Sequence, residues 1–570
     1  MRNKIIFFGF ILITAFVLRF HKLGEIPNGL ERDETSLGYN AYSILLTGKD
    51  EHGIWLPQNF KAFGEYKLPG YIYILVPFIK VFGLTPFSVR FPSALLGFLT
   101  VPIFYLLLKE FFKQNSGVFI RRYSDTVTLI STLLLAINPW HIHFSRGAFE
   151  VTVALFFLTF GTYLFFRGLQ KHPISMFFSA MCFALSAYTY NISRLFIPFF
   201  LFTMFCVFRK EIHTFSPKIR IAWGVAGIVC FLPLLLGLAA HGGFSSTSGT
   251  FIFSSAAVQA PLLEFRSYLV SLPSIFVKSF FNSYMLTIWH YITNIVSYAS
   301  VQFFFITGSP HGNHGIGNTG QWYVWEFITV IAGLFTLFRH RTDKAGLTLL
   351  AWIFITITVA SLTRETPQAT RSFFLIVPVT VCSGIGVITI IQMLEQFKNI
   401  SKLFFGFGLI FIIYNFIFYL TTYYIQFPVS YAKAWSSEDK SLSEYMHKHD
   451  TEYDSILVDK DAGFSYTSLL FYTKYDPLDF QKAAWSGDDS EGFSYPIRFG
   501  KYEYKTIDWE NDTKRPNALI ITKSDTIPKT ITPLVSFSYP TRPVVIAVGQ
   551  KILQYPVSEN AYTLVATNQQ

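Results

Sequence analysis

The chain has 570 residues, of which 51% are hydrophobic, 18% aromatic and only 14% charged, and this composition excludes a water-soluble globule of that length. The formal net charge of +11 does not point to nucleic acid, because Lys and Arg are spread over short loops between apolar runs and form no single stripe. Cys182, Cys206, Cys230 and Cys382 all lie inside apolar runs without CxxC spacing, and they read as small core residues, neither disulfides nor metal ligands.

The first apolar run, residues 5–20 (IIFFGFILITAFVLRF), has no A-x-A-like site before His21 and is followed by many further runs, so it reads as a retained anchor span. Placing the N-terminus, with Arg2 and Lys4, in the cytoplasm predicts spans at 5–20, 87–112, 126–139, 151–166, 174–190, 195–208, 221–240, 324–338, 345–362, 373–393 and 403–424. With these about eleven helices, every basic short loop falls inside, from Lys113, Arg121 and Arg122 to RHRTDK at 339–344. The same parity keeps 69–83 and 282–308 at the outer surface, as interfacial or re-entrant segments.

Beyond Gln426 the sequence turns polar, with short β-like runs such as SILVD and NALIIT separated by turn residues. The expected organisation is an α-helical polytopic membrane domain over 1–425, with outer loops at 21–86 and 241–323, then a small soluble α/β domain over 426–570. The odd number of spans puts that domain outside a cell membrane.

Uncommon polar residues gather on the outer face: Asp33, Glu34, Glu65, Lys67, His141, His143, Arg146, Glu150, Arg194, His311, His314, Arg364, Glu365 and Arg371. Ionised groups at span ends are expensive to hold and usually functional. Each also has a plainer explanation. Asp33 and Glu34 suit a solvated loop in which Asp33 caps the helix TSLGYNAYSIL. Glu65 and Lys67 suit a surface ion pair before Pro69, and Arg146 and Glu150 suit an i,i+4 pair opening a helix. In SPHGNHGIGNTGQWYVWE, His311 and His314 have H-x-x-H spacing with no third ligand nearby, so no cofactor is expected and a divalent metal is a minor alternative. The repeated glycines suit either a flexible loop or a backbone folded closely around something such as a phosphate.

Several of these segments carry a resemblance. ERDETSLGYNAY is similar to a P-D-E-T loop, EYKLPGY to an E-K-P segment, SVRFPSALLGFLTV to an A-R-L-P-S lead into the second span, and SRGAFE to an Arg followed by an acidic residue at the head of the fourth. In this order, from the N-terminus to about Glu150, the chain resembles integral-membrane glycosyltransferases of the C-type (GT-C) fold. The nearest groups are the protein O-mannosyltransferases (glycosyltransferase family 39) and the bacterial aminoarabinose transferase that modifies lipid A. Glu150 stands where Asp is usual, Leu68 separates Lys67 from Pro69, and Arg32 replaces the residue before the acidic pair.

The resemblance implies a donor in which a hexose or pentose is joined to a polyprenyl phosphate, and an acceptor hydroxyl on a lipid, glycan or protein. Direct displacement at the anomeric carbon would invert its configuration. Asp33 is the expected general base, with Glu34 orienting acceptor or loop. Lys67, Arg146 and Arg371 would offset the charge of the leaving phosphate, and Glu150, Glu65 and His314 complete the expected donor contacts. The alternative is a polytopic transporter or lipid-linked sugar flippase, which would place ionisable groups near the midplane of two related halves.

Overall fold

The computed structural model describes residues 2–570 apart from 64, 116–117, 171, 241–250, 254, 487–493, 541, 549–550, 558 and 568–570. The chain forms two compact units. One comprises Met1–His21, Ser93–Ser145 and Phe149–Tyr419, and the other Lys22–Pro92, Arg146–Ala148 and Leu420–Gln570.

The first unit is helical. Helices stand on the predicted apolar stretches: Arg2–Phe20, Pro86–Asn115, Val118–Ile137, Glu150–Leu169, Ile174–Thr189, Asn191–Val207, Pro217–Ala240, Glu326–Arg339, Lys344–Ala360, Ile376–Glu395 and Lys398–Thr421. By length and apolarity, five segments among the described residues qualify as crossings: Arg2–Phe20, Pro86–Lys113, Glu150–Leu169, Phe373–Glu395 and Phe404–Ser430. A sixth is the pair Arg121–Ile137 and Pro139–Arg146, bent by 50°.

The predicted count of about eleven is therefore not reached on this measure. Ile174–Thr189, Asn191–Val207 and Lys344–Ala360 are apolar but shorter, and at ~1.5 Å per residue such helices fall short of ~30 Å of hydrocarbon. The bend has a local cause. Pro139 cannot continue the preceding helix but suits the first position of a new one, and the Asn138 Oδ1 accepts the His141 N–H at 2.9 Å. Around the helices runs one large apolar core that includes Trp140, Phe196, Trp352 and Phe374.

The second unit begins with α1 (Arg32–Thr47), a hairpin of β1 (Phe60–Ala62) and β2 (Glu65–Lys67), and α2 (Pro69–Phe82). The 14-residue α2 occupies the segment predicted to be interfacial, opened by Pro69 and stopped at Gly83. The tail supplies β3 (Ser455–Asp459), β4 (Ala484–Trp485), β5 (Pro496–Phe499), β6 (Tyr502–Lys505), β7 (Ala518–Thr522), β8 (Val535–Ser538), β9 (Arg542–Val548), β10 (Lys551–Val557) and β11 (Asn560–Ala566). Strands β9 and β10 pair with each other, and the remainder form one mixed sheet in the order β4-β5-β6-β3-β7-β11-β8. Central β3 runs parallel to both β6 and β7. Strands β3 and β7 are buried almost throughout, which explains why SILVD and ALIIT read as continuous apolar runs without alternation.

The predicted boundary between 425 and 426 lies close to Leu420, where the last segment of the second unit begins. The predicted grouping differs, however, because residues 22–92 join the tail and not the helical unit. Residues 22–92 and the tail are joined by polar contacts: Thr35 Oγ1 meets Thr467 Oγ1 at 2.8 Å, and the Gln481 amide donates to Ser43, Thr47 and the Asp50 carbonyl.

Candidate active site

The acidic motif forms the first turn of α1, where carboxylates favour the positive end of the helix dipole. The cap is Glu31, not Asp33 as one reading of the sequence has it. Its Oε2 accepts the Asp33 N–H at 2.8 Å, and the Glu34 Oε2 accepts the Glu31 N–H at 3.3 Å, closing a capping box.

With Glu31 satisfying the helix end, Glu34 turns inward, where only 4% of it is exposed. Its Oε1 accepts from Arg90 Nε at 3.0 Å and from the Ala148 N–H at 2.8 Å, and its Oε2 accepts from Arg90 Nη2 at 2.9 Å. Arg90, itself fully buried, also donates to the carbonyls of Leu23, Pro27 and Gly29 and stacks over Trp435. A paired, hydrogen-bonded carboxylate of this kind fixes a loop and has little capacity left for chemistry.

Asp33 points the other way. Its carboxylate is 54% exposed and meets Lys67 Nζ at 2.6 Å, while the Lys67 side chain is only 10% exposed. Lys67 ends β2, so the hairpin delivers its ammonium to the helix start. Lys67 thus pairs with Asp33, while the ion pair anticipated between Glu65 and Lys67 lies outside the described residues. Glu65 lies on the same strand, and its side chain falls outside the described residues. Burial, and after it the charge of Asp33, pushes the Glu31 carboxyl up to about 8, although the residue's rim reaches solvent.

Arg146 and Glu150 lie on two different helices. Arg146 ends the helix Pro139–Arg146 and Glu150 begins Glu150–Leu169, so the chain between them is not a continuous helix. Arg146 is fully buried within the second unit. It donates to the Ile26 carbonyl at 3.0 Å and the Lys22 carbonyl at 3.3 Å, and its guanidinium lies 5.5 Å and 5.3 Å from the ring centres of Tyr423 and Tyr424.

Glu150, His314 and Arg371 belong to the helical unit. There Arg371 donates to the Glu365 carbonyl at 3.3 Å, with the Glu365 carboxylate at 3.8 Å, and His314 Nδ1 lies 3.2 Å from the Gln368 amide. His143 Nε2 meets the Asn313 carbonyl at 2.9 Å. The Tyr190 hydroxyl, bonded to Thr370, is within electrostatic reach of both Arg371 and Glu150. The glycines nearby fold the loop onto itself: a Cβ on Gly315 would stand 2.5 Å from the Ser309 carbonyl oxygen, and one on Gly320 2.4 Å from Phe305. Close self-packing therefore accounts for those two glycines. Among the described residues no cluster of three or more His, Cys, Asp or Glu side chains is placed to hold a metal.

Sequence reasoning placed Asp33, Glu34, Lys67 and Arg146, which the second unit gathers, but it missed Glu31, Arg90 and the Tyr423–Tyr424 platform. Arg90 carried a readable signal, since an arginine inside the apolar run SVRFPSALL requires a buried acidic partner. The tyrosines carried none, because their role depends on a chain return almost three hundred residues away.

Residues 9–189 match the family model of dolichyl-phosphate-mannose-protein mannosyltransferase. No curated protein matches the chain in sequence. Among solved structures, ArnT from Cupriavidus metallidurans bound to undecaprenyl phosphate aligns with a TM-score of 0.52 at 12% identity, covering 99% of this chain and 98% of that one. The same protein in the apo state gives 0.51 at 12% identity, covering 99% and 97%. The chain accordingly has the C-type glycosyltransferase fold of these structures, its apolar helices are those of a multi-pass membrane protein, and over residues 9–189 it is similar to the mannosyltransferase family model.

Proposed function

We propose that the chain transfers a sugar from a polyprenyl phosphate to an acceptor hydroxyl at the outer face of the membrane, with inversion at the anomeric carbon. The observation that carries this reading is the Asp33–Lys67 contact at 2.6 Å, which sets a half-exposed carboxylate against a nearly enclosed ammonium. Asp33 takes the acceptor's proton as the acceptor oxygen bonds to the anomeric carbon. The bond from that carbon to the phosphate oxygen breaks, and Lys67 offsets the charge gathering on the leaving polyprenyl phosphate.

Glu34, neutralised by Arg90, holds the loop that presents Asp33. Arg146, which donates to the Lys22 and Ile26 carbonyls, supports the donor's phosphate. Glu150, Glu65, His314 and Arg371 are proposed donor contacts, the sugar or phosphate partner of each being set by its charge. The undecaprenyl phosphate bound by the ArnT structure supports the lipid class of the donor, and the family match over 9–189 spans Asp33, Glu34, Glu65, Lys67, Arg146 and Glu150.

The test is incubation of membranes containing the chain with a panel of radiolabelled polyprenyl-phosphate hexoses and pentoses. Label leaving the lipid for an acceptor supports the reading. Label that stays on the lipid but changes leaflet favours the flippase alternative.

A further inference from the structure

Glu51 lies in the turn that follows α1, and none of the roles above uses it. It is fully buried. Its Oε1 accepts the Tyr466 hydroxyl at 3.2 Å and lies 3.7 Å from His52 Nε2, while its Oε2 has no hydrogen-bond partner among the described residues. Its neighbour Asp50 is also fully buried, with Oδ1 accepting the N–H groups of His52 and Ile54 and Oδ2 without a hydrogen-bond partner among the described residues. Buried polar atoms in native proteins are nearly always satisfied, so two adjacent carboxylates, each with one open oxygen, call for an explanation.

The surroundings supply one. The two rings beside Glu51, Tyr466 and His52, belong to an aromatic cluster: the ring centres of His52 and Trp485 are 4.3 Å apart, those of Phe63 and Tyr466 5.3 Å, and those of Tyr466 and Trp485 5.6 Å. Lys67, already bonded to Asp33, acts on the Glu51 carboxyl electrostatically. Flat apolar faces beside a few fixed polar atoms form the composition of a small-ligand site, and a sugar offers both a C–H face and hydroxyls to match it.

We propose that Glu51, held by Tyr466, is a specificity-determining contact to the hydroxyls of the donor's sugar, with the rings of Trp485 and Phe63 covering the sugar's apolar face. The inference rests on the reading of the chain as a polyprenyl-phosphate-sugar transferase. Burial, reinforced by the charge of Asp50, pushes the Glu51 carboxyl up to about 8. At neutral pH it carries a proton and donates a hydrogen bond to a sugar oxygen. Tyr466 and Trp485 both come from the tail, so the tail takes a part in choosing the sugar.

The experiment measures kcat and KM of the full chain, reconstituted in lipid vesicles, for a panel of polyprenyl-phosphate sugars differing at single hydroxyls. Polyprenyl phosphate without sugar serves as competitor. Glu51→Met, which removes the donor that Gln would keep, and Tyr466→Phe should cut the preference between the best donor and its single-hydroxyl analogues at least roughly tenfold, chiefly through KM. The sugarless lipid should compete as it does against the unmodified chain, which also reports that the variants fold. If a variant no longer binds the sugarless lipid, Trp485→Leu at the edge of the cluster takes its place and should show the same loss of preference. Equal slowing on every donor with unchanged preferences, in whichever variant binds the sugarless lipid, would make Glu51 structural and overturn the inference alone. An unmodified chain that transfers from no donor would overturn the underlying reading, and this inference with it.

Discussion

Replacing Arg90 with methionine tests the division of labour between the two carboxylates of the acidic pair. Arg90 and Glu34 are 0% and 5% exposed at their side chains and share two hydrogen bonds, at 3.0 and 2.9 Å, so solvent screening gives little relief. Methionine fills much of the same volume but leaves the Glu34 charge uncompensated and the Pro27, Leu23 and Gly29 carbonyls without their donor. Breaking such a buried pair from one side costs ~3–5 kcal/mol, which for a unit of 150–250 residues lowers Tm by roughly 6–20 °C. Removing the Glu34 charge as well should recover part of that loss, so Arg90→Met with Glu34→Gln is expected to be less destabilised than the two single changes added together. Thermal unfolding in detergent, followed by intrinsic fluorescence, reads all three proteins. An Arg90→Met chain as stable as the original, or strictly additive losses, would refute the assignment of Glu34 as the anchor of the loop.

Burial pushes the Asp439 carboxyl from 3.8 up to about 7, so the folded chain keeps a proton that the unfolded chain has lost above about pH 4. Stability from this group is complete below pH 4 and is lost as pH rises toward 7. Asp439→Asn, which keeps an acceptor for the Tyr562 hydroxyl, should therefore gain stability over the original chain at pH 8 compared with pH 5, as read by Tm at the two values. Gly38→Ala should lose ~1–3 kcal/mol by overpacking, because its new Cβ would stand 2.6 Å from the Phe471 ring and 2.9 Å from Val89, and a denaturation midpoint checks it. Cysteines placed singly at the exposed positions Asp476 and Thr342, in a chain without the native four, test sidedness. A membrane-impermeant thiol reagent should label intact cells at 476 and not at 342.

Much of the helical unit was legible because an apolar run long enough to cross a membrane is a strong signal on its own. Length was harder to read than existence: Pro139 turns one predicted span into a bent pair, and 174–189, 191–207 and 344–360 are shorter than a straight crossing. The acidic motif was legible in position but only partly in role. Which carboxylate faces solvent follows from Glu31 taking the cap and Arg90 drawing Glu34 inward, and both depend on tertiary partners that spacing does not encode. Arg146 and Glu150 are four residues apart but on two different helices, because the chain between them breaks at 147–149, and spacing alone does not show such a break. Nor could composition join residues 22–92 to the tail, because the joining contacts, such as Thr35 with Thr467, link positions more than four hundred residues apart.

The central claim is that Asp33 enables transfer of sugar from a polyprenyl phosphate. The most direct test uses proteoliposomes containing the purified chain, a labelled polyprenyl-phosphate sugar selected from the panel, and a membrane extract supplying acceptors. Label should move from the lipid to acceptor with the original chain, and Asp33→Asn, which removes a proton acceptor without changing shape, should slow that transfer ~10²–10⁴-fold while leaving Tm unchanged. Transfer by the Asp33→Asn chain at more than about a tenth of the original rate, against that expectation, or label that crosses the bilayer without leaving its lipid, would contradict the account.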